Sequence, residues 1–92
     1  MSITIHIHQA HRIHTNGFGA DLAEGRTVGE CLEDLVRRYP GMRNELYDPA
    51  TPGRLRNIIE IHLNNKKLFP DVSAKYVAEG DVIHIALMLS GG

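Results

Sequence analysis

The sequence has few of the features that mark disulfide-stabilised, membrane-spanning or nucleic-acid-binding proteins. Its 92 residues include one cysteine, Cys31, which cannot form an internal disulfide, so the fold does not depend on an oxidising compartment. No apolar run approaches the length of a membrane span. The formal net charge is -1, so we expect no strong attraction to nucleic acid or to a membrane surface.

Signals for export and for catalysis are also missing. Residues 1–4 show no basic region followed by a continuous apolar stretch, so we expect no signal peptide. We therefore expect a cytoplasmic location. The chain has no glycine-rich phosphate loop and no recognisable Ser/His/Asp arrangement. We therefore expect a small single-domain protein that is not an enzyme and has no active site of its own.

Alternation of apolar and polar residues predicts the strands. The first covers residues 2–8, with Ile3, Ile5 and Ile7 on one face, and the last carries Ile83, Ile85, Leu87 and Leu89 on one face. The Asn16-Gly17 turn precedes a second strand over residues 18–23, with Phe18, Ala20 and Leu22 sharing a face. A third strand is predicted over residues 58–63, and the Asn64-Asn65 turn leads to a short fourth over residues 67–69.

One amphipathic helix is predicted over residues 27–39. Thr27 and Glu30 form a capping-box pattern, and Pro40-Gly41 ends the helix. Its apolar stripe consists of Val28, Cys31, Leu32, Leu35, Val36 and Tyr39, and the opposite face carries Glu30, Glu33, Asp34, Arg37 and Arg38. One helix can cover only one face of a sheet, which predicts a two-layer α+β domain with an open sheet face. We expect the first and last strands to lie side by side and parallel.

Residues 42–57 form the longest irregular stretch, with a short turn predicted at 43–46. Pro49, Pro52 and Gly53 exclude a long helix here. Arg54 and Arg56 either bind an acidic partner or only keep the loop solvated, and the sequence does not separate these alternatives.

The last strand runs directly into Ser90-Gly91-Gly92. The two glycines have no side chains to pack and a large conformational freedom. We expect a domain over residues 1–89 and a flexible tail over residues 90–92, with the terminal carboxylate of Gly92 as the working group.

This order of elements, with its Gly91-Gly92 terminus, resembles the β-grasp fold of ubiquitin-like proteins, with four to five strands packed on one main helix. It is more similar to bacterial and archaeal sulfur carriers, namely the small subunit of molybdopterin synthase and the thiamine-pathway carrier. The shared motifs are Thr27-Val28-Gly29 through Tyr39-Pro40-Gly41, then Leu63-Asn64-Asn65, then Glu79-Gly80-Asp81. The stretches 48–53 and 57–65 are similar to the carrier of a protein-dependent cysteine-synthesis branch.

The resemblance implies a reaction cycle. A ubiquitin-activating-like adenylyltransferase would use ATP and Mg²⁺ to adenylate the Gly92 carboxylate, with Gly91 beside it, and a sulfur donor would convert the adenylate to a thiocarboxylate. A biosynthetic enzyme of the cysteine, molybdopterin or thiamine pathway would accept the sulfur. No cofactor is expected to stay bound to the chain. Two alternatives remain: a ubiquitin-like modifier joined to lysines, and a non-reactive interaction module.

The open sheet face near the tail is the predicted partner-binding surface. It consists of His62, His84, Ala86, Met88 and Ser90, where Met88 is an adaptable apolar side chain beside the reactive end. His6, His8, His62 and His84 should share this face, where they form either a metal site or, as we expect, half-exposed sheet residues without metal. His11 and His14 are assigned to a loop, and Cys31 to the core rather than to a nucleophilic role.

Overall fold

The structure is a computed structural model, and it describes residues 2–88. In chain order the elements are β1 (Ser2–His6), a 3-10 helix (Gln9–Thr15), β2 (Ala20–Glu24), α1 (Val28–Arg38), α2 (Met42–Leu46), β3 (Ile59–Leu63), β4 (Lys66–Lys67) and β5 (Val82–Leu87). No helix in this part of the chain is long and apolar enough to cross a membrane.

The five strands form one mixed sheet in the order β2-β1-β5-β3-β4. The first and last strands are parallel neighbours at its centre, with Ile5 opposite Ile83, and the other pairs are antiparallel. The predicted α+β class and the predicted pairing of the terminal strands are confirmed. β5 is therefore held by a strand on each side.

The core lies between α1 and one face of the sheet, as predicted. Alternate strand residues point inward because successive side chains of a strand alternate between its two faces. The buried apolar residues include Ile3, Ile5, Ile7, Val28, Cys31, Leu32, Leu35, Val36, Ile59, Ile61, Leu63, Ile83 and Ile85. Leu87, at the end of β5, is half-buried and packs against the same cluster.

Thr27 and Glu30 cap the N-terminus of α1 as predicted, except that Glu30 bonds a different backbone N–H from the one expected. The Thr27 hydroxyl accepts a hydrogen bond from the Glu30 N–H at 3.1 Å, while the Glu30 carboxylate accepts from the Arg26 N–H, one residue before the cap. Asp34 was assigned to the solvent face of α1, but it is buried. Its Oδ2 accepts from the Glu24 N–H at 3.0 Å, so it joins the helix to the edge of the sheet.

Three strand predictions need correction. β1 ends at His6, and His8 caps the 3-10 helix instead of continuing the strand. β2 starts two residues later than predicted, so Phe18 lies before it and is exposed, although Ala20 and Leu22 do share the open face. β4 covers Lys66–Lys67, so it begins one residue earlier than predicted and is shorter, because only these two residues form ladder pairs with β3.

The Asn64-Asn65 turn is confirmed, and it also anchors β5. Both asparagines have positive φ, of 50° and 71°, which suits a tight two-residue hairpin. The Asn64 side chain accepts from the Val82 N–H and donates to Asp81 Oδ1, each at 2.9 Å. The start of β5 is thereby fixed to the β3–β4 hairpin.

Candidate functional site

The open face of the sheet carries a row of three histidines at its centre. The strand register places His6 opposite His84 across β1 and β5, and His84 opposite His62 across β5 and β3. Ala20 and Lys67 continue the row on the two outer strands. The row therefore crosses the whole sheet, and the prediction that His6, His62 and His84 share this face is confirmed.

His84, in the middle of the row, is shielded by its neighbours. Its ring stacks on that of His6, with centroids 4.4 Å apart and an angle of 6° between the planes. Burial lowers the pKa of His84 below its usual 6.5, and the nearby His6 and His62 lower it further. Its Nδ1 is buried and makes no hydrogen bond within residues 2–88. His84 is therefore neutral at pH 7.

An apolar patch follows on the side of the row that is closer to the tail. Ala86 lies opposite Glu60, and the Met88 N–H donates to the Ile58 carbonyl. Met88 and Ile58 remain 40% and 39% exposed, so two large, partly exposed apolar residues lie on paired backbone where β5 ends. This patch is where an adaptable partner contact is expected.

The structure brings together four of the predicted site residues and leaves the others undescribed. His62, His84, Ala86 and Met88 lie on one face, in two adjacent strands and the residue after β5. Ser90, Gly91 and Gly92 lie outside the described residues. The binding and transfer roles of all seven stay predictions.

Glu60 is the only acidic side chain that the described part of the chain places beside this histidine row. Its Oε1 lies 3.3 Å from His62 Nε2 and 4.0 Å from Lys67 Nζ. Within residues 2–88, no three His, Cys, Asp or Glu side chains are arranged to hold a metal ion. The row therefore combines three imidazole rings with one carboxylate that is shared between His62 and Lys67.

The assignment of His11 and His14 to a loop was wrong, since both lie in the 3-10 helix. Side chains three residues apart eclipse one another in such a helix, and His8, His11 and His14 have that spacing. His11 is buried, with its Nε2 3.4 Å from Glu45 Oε2 on α2, and burial lowers its pKa. The three-residue spacing was the signal available in the sequence.

Cys31 has the packing role that the sequence indicated. It is fully buried in the core, and this burial raises the pKa of the thiol to about 11. A thiol in that state is almost entirely protonated at neutral pH and is a poor nucleophile. Cys31 therefore belongs to the core and not to the site.

Sequence reasoning missed a cleft beside the outer edge of β3. Its walls come from residues 54–57 and 67–74, and Met88 lies on its rim. Arg54 and Arg56 line it, together with Leu68, Phe69 and Val72. The two arginines and the exposed Phe69 were visible signals, but only the fold brings these distant segments together.

Comparison with known proteins shows a relationship over the whole chain. The chain is 33% identical over 93 residues to the sulfur carrier protein CysO of Mycobacterium tuberculosis, covering 100% of both chains. The crystal structure of that CysO matches with a TM-score of 0.85 and 32% identity, over 92% of this chain and 97% of the other. No protein-family model matches the chain.

Two further solved structures share the fold. The Amycolatopsis orientalis BexX/CysO complex contains a chain that matches with a TM-score of 0.85 and 27% identity, over 98% of this chain and 99% of that one. Small archaeal modifier protein 1 from Methanosarcina acetivorans matches with a TM-score of 0.86 over 99% and 96% of the two chains. At 19% identity, the second likeness concerns the ubiquitin-like β-grasp fold alone.

Proposed function

The chain belongs to the family of the sulfur carrier protein CysO, and we propose that it carries sulfur as a thiocarboxylate on the carboxyl carbon of Gly92. The observation that carries this proposal is the 33% identity over the full length of both chains. The alternation of β5 leading into Gly91-Gly92 adds to it. The chain is then a protein co-substrate, and the catalytic groups belong to its partners.

The chemistry needs an activation step because a carboxylate is a poor electrophile. A terminal carboxyl group has a pKa of about 3.5 and is ionised at neutral pH. In the proposed cycle, an oxygen of the Gly92 carboxylate attacks the α-phosphorus of ATP and releases pyrophosphate. A sulfur donor then attacks the acyl carbon and AMP leaves, so one difficult substitution is divided into two easier ones. The activating enzyme supplies the ATP and Mg²⁺ sites.

The chain's own contribution is to present its end in a defined direction. β5 lies at the centre of the sheet, and its backbone is paired on the β3 side up to Met88. Gly91 and Gly92 carry no side chains, which suits a narrow channel that excludes water around the reacting carbon. A rigid base with a thin end lets another protein's active site enclose the carboxylate.

Partner docking is proposed on the open face that carries His62, His84, Ala86 and Met88, together with Ser90, which lies outside the described residues. The CysO of Amycolatopsis orientalis has been solved in complex with BexX, which supports a direct protein partner for this family. We propose that the activating adenylyltransferase and the sulfur-accepting enzyme use this face in turn. The accepting pathway is that of cysteine, molybdopterin or thiamine.

Mass spectrometry of the protein from its native cells tests the proposal. Replacing one terminal oxygen by sulfur adds about 16 mass units to the chain, as expected for the thiocarboxylate of the acyl-transfer scheme. The expected result is this gain on a fraction of the molecules, localised to Gly92. Gly-Gly branches on the lysines of other proteins would instead indicate a modifier, and an unmodified terminus under all growth conditions would contradict the carrier role.

A further inference from the structure

The two outer edges of the sheet differ in how they are protected. At the edge formed by β2, the Leu22 carbonyl accepts from Arg38 of α1, and the Leu22 N–H donates to Asp21 Oδ1 at 2.8 Å. The Glu24 N–H donates to the buried Asp34. Side chains therefore already form hydrogen bonds with the backbone groups through which another strand would pair with β2. Such bonds prevent unwanted strand pairing.

The opposite edge is only half covered. β4 pairs with His62 and Leu63 of β3, and the last bond from this side runs from the Leu68 N–H to the Ile61 carbonyl at 2.9 Å. Ile59 and Glu60 have no strand beside them on this side within residues 2–88. This uncovered edge forms one side of the cleft described above.

The geometry of the edge suits a parallel strand. In a parallel pair, a residue does not bond to the residue that it faces. Its N–H donates to the carbonyl of the residue before that one, and its carbonyl accepts from the N–H of the residue after it. A residue facing Glu60 would therefore meet the Ile59 carbonyl and the Ile61 N–H. The described part of the chain holds no backbone hydrogen bond to either group from the side of the cleft.

The apolar surface of the cleft lies along this edge. Leu68 and Val72 are half-buried against the core, while Phe69 is 82% exposed. Met88, the last described residue before the tail, also lines the cleft. An incoming strand could place alternate apolar side chains against these residues while its backbone pairs with β3.

The charged side chains of the cleft that form no ion pair in the described part of the chain are mainly positive. Arg54 is exposed and forms no ion pair within residues 2–88, and the guanidinium of Arg56 donates a hydrogen bond to the Asn44 carbonyl, at 3.4 Å. Of the acidic residues that line the cleft, Glu60 is shared between His62 and Lys67, which leaves Asp71. The lining therefore carries two arginines that form no ion pair within residues 2–88 and one carboxylate, Asp71, in the same state.

We propose that this cleft binds an extended acidic segment of the activating adenylyltransferase, which adds to the sheet as a parallel strand beside β3. This inference rests on the proposed function, since it names a second contact of the same partner. Carboxylates of the segment would meet Arg54 and Arg56, and its backbone would meet Ile59 and Ile61. Met88 lies on the open face and also lines the cleft. The partner would therefore contact both surfaces next to the last described residue before the tail.

A peptide titration tests the cleft without ATP or any partner enzyme. The probe is the acetylated and amidated hexapeptide Glu-Asp-Ile-Val-Asp-Glu, added to ¹⁵N-labelled protein in 50 mM salt, with a peptide carrying lysine at the four acidic positions as the control. The acidic peptide is expected to shift the amides of Ile59, Ile61 and Leu68, and the lysine peptide is not. Arg54→Glu should weaken the binding about tenfold, because like charges would then face each other. Arg26→Glu, the same change at an exposed position before α1, should leave it unaltered.

Adenylation kinetics separate this inference from the proposed function. Arg54→Glu is expected to raise the KM for the carrier about tenfold at unchanged kcat, whereas loss of Gly92 should abolish the reaction. A wild-type chain that is never adenylated would count against the proposed function, and the peptide titration would still decide the cleft. Equal shifts with both peptides, no shifts along β3, or a wild-type affinity in Arg54→Glu would each overturn the cleft proposal.

Discussion

His6 of β1 and His84 of β5 stack on the open face of the sheet, with ring centroids 4.4 Å apart and nearly parallel planes. The stack covers one side of His84, and His62 lies opposite it on β3. A neutral ring costs less to cover than a charged one, which fits the lowered pKa of His84. At neutral pH the centre of the proposed docking face is therefore uncharged.

The first prediction concerns the effect of acid on the histidine row. Because the pKa of His84 is lowered from 6.5, the folded state binds a proton at this site less readily than the unfolded chain does. The stability that His84 contributes is therefore complete above about pH 6.5 and is lost as the pH falls towards its folded pKa. Urea unfolding at pH 7.5 and pH 5.5 should show a smaller free energy of unfolding at the lower pH.

The matched variants for this measurement are His84→Gln and His14→Gln. The first should reduce the loss of stability between the two pH values, whereas the second leaves the row intact and should keep the wild-type difference. NMR titration of the ring protons gives an independent measure of the His84 pKa. A His84 pKa at or above 6.5, or equal pH dependence in both variants, would contradict this account.

The second prediction concerns the packing of α1 on the sheet. Leu35 is fully buried in the core, so Leu35→Ala removes well-packed apolar volume and should lower the free energy of unfolding by about 2–5 kcal/mol. Glu33→Ala is the control on the exposed side of α1, where only a surface ion pair with Arg43 is lost. Chemical denaturation of the two variants measures both changes. A loss below about 0.5 kcal/mol for Leu35→Ala would mean that the stripe does not carry the core.

The sequence was sufficient for the elements whose patterns are local. Alternation at Ile3, Ile5 and Ile83, and helical spacing around Leu35, determine which face each element buries, so the two-layer fold followed from them. The positions 64 and 65 fixed the hairpin in the same way, because asparagine tolerates positive φ. Such a pattern marks the face that an element must bury, whichever part of the chain covers that face.

Features that depend on contacts between distant segments were missed. Asp34 looked like a solvent residue of α1, but the Glu24 N–H at the edge of β2 gave it a buried partner. His11 looked like a loop residue until α2 placed Glu45 beside it. The cleft likewise joins residues 54–57 to residues 67–74, and no local pattern encodes their proximity.

The third prediction tests the docking face near the tail. Ala86→Asp adds a charge beside Glu60 on the open face, where the partner's apolar contact is proposed, so it should raise the KM for adenylation. Its fold should survive, since the side chain points away from α1. The control is Ala20→Asp, the same change on the edge strand β2 of the same face. Circular dichroism checks the folding of both variants, and unchanged activation of Ala86→Asp would remove this face from the docking surface.

The fourth prediction concerns the tail, residues 90–92, which lies outside the described part of the chain. Deleting Gly92 removes no side chain from the core, so the melting temperature should stay within the error of the wild type. Adenylation should nevertheless be abolished, because the terminal carboxyl carbon moves back by up to about 3.5 Å along an extended chain. A misplacement of about 1 Å already costs about a hundredfold in rate.

Gly91→Val separates the shape of the tail from its length. This variant keeps the carboxylate at its original distance but adds a branched side chain that a narrow channel cannot admit, so it should also lose adenylation. Ala20→Val is the control, since it introduces the same branched side chain on the edge strand β2 instead of in the tail. ATP–pyrophosphate exchange with the cognate activating enzyme measures all four proteins. If the Gly92 deletion exchanges as fast as the wild type, the enzyme does not act on a carboxylate at a fixed distance from β5, and the carrier role loses its chemical basis.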